Sequence, residues 1–343
     1  MSSNNSTMAR TYSTPWTLRA YRALPGNPLW VGIGFTIALL VVFLVGRSLV
    51  AGGEGATPDD FRIAITQILM TGYSASAYAY LLMTARKTTV ELSPVTRHLP
   101  QWPTIADRAG KHPWWLLLLV GAATYLIFGV AATNATTPEP VNPWDWRAWN
   151  YDVFWHRATT VLFVWWLGCL SYVSVVESVR LSRLSGQLES LDLFDLGPYR
   201  PLVRQGLTNA LLVIGMMSIM SLLGVESRYW PILMGFWAVF TILAWAGMML
   251  PLGGIRKQIR TAKEKELEWC NRALKVARDE LKSGAAKQSS ISAVMSYKTM
   301  IENVRNWPFD NPTLVRFSLY LLIPLGSWLG GALVERGLDL VLP

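Results

Sequence analysis

Long apolar stretches separated by short polar ones set the pattern of this chain. A bilayer core takes a helix of about 20 apolar residues. Seven runs meet that length: about Leu29 to Leu49, Ile63 to Met83, Trp114 to Ala132, Thr159 to Val176, Leu207 to Leu223, Pro231 to Leu250 and Leu314 to Val334. The second and fourth carry Tyr, Ser and Thr and are the least apolar. The pattern predicts an all-α integral membrane protein with seven transmembrane helices. The first run starts late and is too long for the apolar region of a cleaved signal peptide, so it reads as a retained anchor.

The connections predict the orientation. With the N-terminus inside and the C-terminus outside, 25 of the 31 Lys and Arg fall on the cytoplasmic side. The outer six are Arg47, Arg62, Arg147, Arg157, Arg228 and Arg336. That asymmetry is a strong positive-inside signal. The chain then divides into a polar cytoplasmic segment (1–28), six spans (29–254) with a cytoplasmic extension of the fourth (177–196), a cytoplasmic helical hairpin (255–312), and a last span with a short outer tail (313–343).

Composition agrees. Hydrophobic residues make up 52% of the 343 and charged ones only 15%, against roughly 25% charged in soluble domains. The formal charge of +9 does not point to nucleic acid, because the cations sit between spans rather than in a module. The 17 Trp include Trp30, Trp114, Trp115, Trp230 and Trp307 near predicted helix ends, an aromatic belt at headgroup level. Pro143 to Trp155 is denser in aromatics still: a stretch lying in the outer interface or an aromatic-lined mouth for a ligand. Cys169 and Cys270 form no metal or disulfide spacing. His98, His112 and His156 form no metal pair. No cofactor is expected. Localisation in a cell membrane, a bacterial inner membrane first, follows from the basic inner face. In a secretory pathway Asn134-Ala135-Thr136 would be a glycosylation sequon.

Two features are predicted beyond the spans. Leu181, Leu184, Leu188 and Leu191 carry the fourth helix on into the cytoplasm until Asp195, Gly197 and Pro198 end it. Pro251 to Gly254 should break the sixth helix. Beyond it Leu267, Cys270, Leu274, Ala277 and Leu281 form a two-heptad seam, and Ile291, Val294, Ile301 and Val304 mark a returning helix. A local helical bundle is expected, with the leucine stripe of the fourth helix as its partner.

No catalytic motif is visible, and an enzyme is not expected. No Asp, Glu, Lys or Arg lies near the centre of a predicted span, which argues against proton-coupled transport. The polar content is uncharged. Gln67, Thr71, Ser74 and Tyr78 share one face of the second helix: a packing seam or a ligand pocket. In the last run, Gly326 and Gly330 make a small-x-x-x-small step, and Pro324 can kink the helix.

This plan resembles the insect chemoreceptor-like superfamily of seven-helix ion channels, through the helix count, the orientation, the extended fourth helix and the large cytoplasmic segment before the last helix. The resemblance implies a homotetramer anchored by Ile255 to Val304 and Leu181 to Leu191, including Leu181, Leu184, Leu188, Leu267, Leu274 and Leu281. It implies a pore lined by the last helix, with Pro324, Ser327, Gly330 and Leu333, and a small-molecule ligand in the outer half of helices two to six. The family's Thr-Tyr and Gln pattern in the last helix is replaced here by Ser318, Leu319 and Tyr320. The leading expectation is a homo-oligomeric ion channel, ligand-gated. The alternatives are a membrane sensor or scaffold binding a partner or lipid through its cytoplasmic helices, and a transporter.

Overall fold

A computed structural model describes residues 28–50, 58–97, 99–100, 102–130, 133, 145, 147, 149–187, 191–225, 230–282, 288–308, 311–324, 326 and 329–330. Among these residues the regular structure is entirely helical: α1 Pro28–Val50, α2 Pro58–Glu91, α3 Ser93–Thr96, α4 Trp102–Arg108, α5 Trp114–Thr124, α6 Tyr151–Ser185, α7 Arg200–Met220, α8 Trp230–Met249, α9 Gly253–Lys282, α10 Gln288–Asn303 and α11 Asn311–Tyr320. Proline stands in the first turn of α1, α2, α7, α8 and α11. There its missing N–H costs nothing and its fixed φ favours the helix. At α6 the side chain of Asn150 accepts from the N–H of Val153, and Asp152 follows in the first turn. Cap and acid together favour a helix start, so α6 begins before Thr159.

Among the described residues four helical stretches are long and apolar enough to cross a membrane: Trp30–Val50, Tyr151–Ser185, Gly197–Leu223 and Leu233–Lys282. Trp114–Gly129 is a shorter apolar helix, ending in a π-helical turn at Tyr125–Gly129. α2 spans 34 residues, enough for about 51 Å at 1.5 Å per residue; its Tyr, Ser and Thr content lowers its hydropathy. Only 6% of the α1 window is buried, and Phe35, Val41, Leu44 and Leu49 stand exposed. Such a surface suits hydrocarbon and not water.

Contacts between helix ends give an up-and-down arrangement. Arg47, near the end of α1, lies 3.5 Å from Asp152 at the start of α6. His112, just before α5, meets Glu177 in the C-terminal part of α6. Glu91 at the end of α2 pairs with Arg204 in the first turns of α7. The core lies between α2, α6, α7 and α8, with Val164, Val173, Leu202, Ala210, Met216 and Ala244 buried in it.

Two boundaries differ from the pattern expected. Pro251 to Gly254 does not break the chain: Leu250–Leu252 is one 3-10 turn, and Leu233–Lys282 runs on as 50 residues of helix. Pro251 sits in that tighter turn, and the carbonyl four residues before it, Gly247 O, accepts from Asn209 Nδ2 at 3.4 Å instead. α6 ends at Ser185, not near Asp195, and Gly186 follows it. There α9 crosses: a Cβ on Gly254 would overlap Ser182 O and Gly186 N, and Gln258 donates to Gly186 O. Ile255 and Ile259 join the cluster that holds Leu181 and Leu184.

Candidate functional site

The uncharged seam of α2 is buried, and all of its side chains but Tyr78, whose hydroxyl has no hydrogen bond, find partners. Gln67 Nε2 donates to Thr160 Oγ1 at 2.9 Å, and Thr159 Oγ1 donates to Gln67 Oε1 at 2.8 Å. The hydroxyls of Thr71 and Ser74 turn back to the carbonyls of Gln67 and Thr71. Tyr78 is 1% exposed, and its ring lies 5.4 Å from that of Trp166. A second chain of bonds ties α2, α6, α7 and α8. Thr88 donates to Gln205, Gln205 to Asn209, and Asn209 to Ser178 and to Gly247 O. Buried amides paired across helices hold a bundle together.

The other expected residues lie elsewhere. In the last apolar run Pro324 is buried and Gly330 exposed, while Ser327 and Leu333 lie outside the described residues. A Cβ at Gly326 or Gly330 would meet no atom within 4 Å. Leu181 and Leu184 are each 1% exposed; Leu188 lies outside the described residues. In the hairpin Cys270 and Ala277 are buried, Leu267 and Leu274 half-buried, and Leu281 is 48% exposed. That seam faces α10: Trp269 and Tyr297 meet edge to face, and Lys263 donates to the carbonyls of Glu302 and Val304. The leucine stripe of α6 packs with the root of the hairpin rather than its tip.

A charged cluster stands at the end of α6. Glu177 and His112 are 1% and 2% exposed. His112 Nε2 lies 2.9 Å from Glu177 Oε1, and Arg180 Nη1 lies 2.8 Å from Glu177 Oε2. His112 Nε2, Glu177 Oε2 and Arg180 Nη1 make these close contacts without an aligned hydrogen bond. The backbone N–H of Gly110 donates to Glu177 Oε1 at 3.2 Å. Gly110 has φ +69°, a conformation that costs glycine little, and this turn brings its N–H and the following His112 to the carboxylate. The His112 ring meets Tyr172 edge-on at 5.5 Å.

Beside this cluster opens a cleft of about 620 Å³. Arg108, Lys111, Arg180 and Arg183 line it, with His112 at its back. Leu116, Tyr172, Val175, Val176 and Val179 line it as well. Glu177 meets Arg180, and Asp107 accepts from Lys111, whose hydrogen bond holds the Asp107 carboxyl below the usual carboxylate range. Four cations line one opening, and Arg offers forked donors that match carboxylate or phosphate. Among the described residues no three His, Cys, Asp or Glu are placed to hold a metal ion.

Sequence spacing did not single out this cleft. Glu177 and Arg180 stand three apart on a helix, a visible pair, but nothing local joins them to His112 in a distant loop. The cleft sets cationic side chains around open volume. No family model matches this chain, and no curated protein or solved structure matches it either.

Proposed function

We propose that this chain is a multi-pass cell-membrane protein with seven spans, N-terminus inside and C-terminus outside, acting as a sensor or scaffold. Its ligand is an anionic, phosphate-bearing group bound at the cytoplasmic face between α4, α5 and α6. The observation that carries this is the cleft: four cationic side chains, Arg108, Lys111, Arg180 and Arg183, line one open volume. α6 links the cleft to the hairpin through the close contact of Gly186 with Gly254, and the hairpin offers basic helices to a partner. Thermal unfolding of the purified chain in phosphate against chloride, at equal ionic strength, tests the site. Phosphate should raise the midpoint of the wild type and raise it less in Arg108→Gln/Arg183→Gln. Equal rises would remove the site. A membrane-impermeant maleimide should label Thr104→Cys only in inside-out vesicles; labelling from the outer face would invert the topology.

An ion channel is the second proposal. The space beside Gly326 and Gly330, with Leu322, Ile323 and Leu329 exposed around it, suits approach by another copy of the chain. The channel requires a defined oligomer by native mass and unitary currents in planar bilayers that Gly330→Leu alters. A silent monomer would end it.

A further inference from the structure

We infer that a groove between α1, α2 and the end of α7 holds one acyl chain of a bilayer phospholipid. This rests on α1 crossing the membrane and is independent of the cleft. The groove has a volume of about 520 Å³; α1 lines it from Gly32 to Leu40, α2 from Ile65 to Ser76, and α7 adds Ile219. α1 and α2 seat closely beside it. A Cβ on Gly32 would overlap Ser76 Oγ, and one on Gly72 would overlap Thr36 Oγ1. The two antiparallel helices interlock through these small residues, which let backbones approach. Ile33 and Ile37, also on the lining, are 50% and 56% exposed.

The chemistry of the lining selects hydrocarbon. No lining residue is charged. Its three hydroxyls, on Thr36, Tyr73 and Ser76, already donate to the carbonyls of Gly32, Leu212 and Gly72. The groove offers an occupant neither a cation nor a hydroxyl proton. A free fatty acid would place its carboxylate there without a partner, which is costly in an apolar site. The middle of a phospholipid acyl chain brings no polar group, and its headgroup stays outside.

Depth and width select a single chain. Trp30 is 70% exposed, and exposed Trp marks the headgroup level. At 1.5 Å per residue, Gly32 lies about 3 Å and Leu40 about 15 Å from Trp30 along α1. About 15 Å is half of a hydrocarbon core roughly 30 Å thick, so the groove follows one leaflet from its surface towards the midplane. On α2 it covers about 16 Å from Ile65 to Ser76. Spread over that length, about 520 Å³ gives a cross-section of roughly 30 Å² and a width of about 6 Å, whereas a helix with its side chains is about 10 Å across. A helix from a second copy of the chain is too thick to enter.

The test is photo-crosslinking of the full chain in nanodiscs whose phosphatidylcholine carries a diazirine along one acyl chain, read by peptide mass spectrometry. Labels should concentrate on Gly32–Leu40 and Ile65–Ser76, above the exposed face of α8 at Ile242 and Trp245. The same label on phosphatidylglycerol should give the same pattern, and a free diazirine fatty acid should label the groove less. Ile37→Trp should lose most of the labelling by filling the groove, and Ile33→Trp gives the same readout if Ile37→Trp fails to fold. Gly34→Leu should keep it, since a Cβ there meets no atom within 4 Å. Wild-type labelling no denser in the groove than on α8 overturns the inference, because the groove would then be ordinary lipid-facing surface. So does labelling that folded Trp variants leave unchanged, or stronger labelling by the free fatty acid. An unlabelled groove in a chain whose native mass is that of a dimer would give the groove to a second copy instead.

Discussion

Two buried polar clusters in this protein look alike by composition and differ in how they close. The uncharged one runs from Gln67, Thr159 and Thr160 to Thr88, Gln205, Asn209 and Ser178, and its amide and hydroxyl groups find partners across α2, α6, α7 and α8. The charged one gathers His112, Glu177 and Arg180 at one end of α6 and opens on a cleft lined by further cations. A closed network specifies which helices pack together. Buried polarity alone therefore does not mark a site; charged side chains gathered beside open volume are suited to a ligand.

Substitutions break this contrast in graded ways. The largest effect belongs to Glu177→Ala. It strands Arg180 and the Gly110 N–H without their acceptor, and removing one partner of a buried pair costs roughly 3–5 kcal/mol. Thermal unfolding in detergent reads the loss, and a drop under about 1 kcal/mol would mean the cluster is wetter than its burial says. Glu177→Leu/Arg180→Leu should recover much of the loss, since replacing both partners by apolar groups is often close to neutral. Next comes Gly254→Val, where a side chain would collide with α6 at Ser182 and Gly186; overpacking of this kind costs about 1–3 kcal/mol. If its melting point matched wild type, the hairpin root would not be docked as described. Asn209→Ala and Gln67→Leu should each cost less, about 0.6 kcal/mol and at most about 1.7, as for hydrogen bonds between membrane helices. Anion binding should survive both. Smallest of all is Arg108→Gln/Arg183→Gln: these side chains rim the cleft, and surface changes stay within about 0.5 kcal/mol. A large destabilisation there would make the rim structural rather than binding.

Much of the helical plan was legible in the chain. The apolar runs locate α1, α6, α7 and α8, and the 3–4 spacing of Leu267, Cys270, Leu274 and Ala277 locates the helix that becomes α9. Proline was read too strongly at Pro251, because a 3-10 turn can carry it without ending a helix. The start of α6 hid in an aromatic-rich stretch whose cap, Asn150, is visible only once Val153 is known to be helical. The end of α6 is set by the approach of Gly254 to Gly186, a tertiary event with no local sign. The seam of Gln67, Thr71 and Ser74 was visible as one face, but its saturation by Thr159 and Thr160 comes from another helix. The cleft was illegible for the same reason: His112 and Glu177 meet only because α5 and α6 run antiparallel.

We propose that Arg108, Lys111, Arg180 and Arg183 hold an anion. The most direct test is the melting temperature of the full chain in nanodiscs made with and without phosphatidylglycerol, for wild type and Arg108→Gln/Arg183→Gln. The anionic lipid should raise the wild-type midpoint, and the double variant should lose most of that rise. An equal rise in both proteins would contradict it, because the stabilisation would then come from the bilayer at large and not from the cleft.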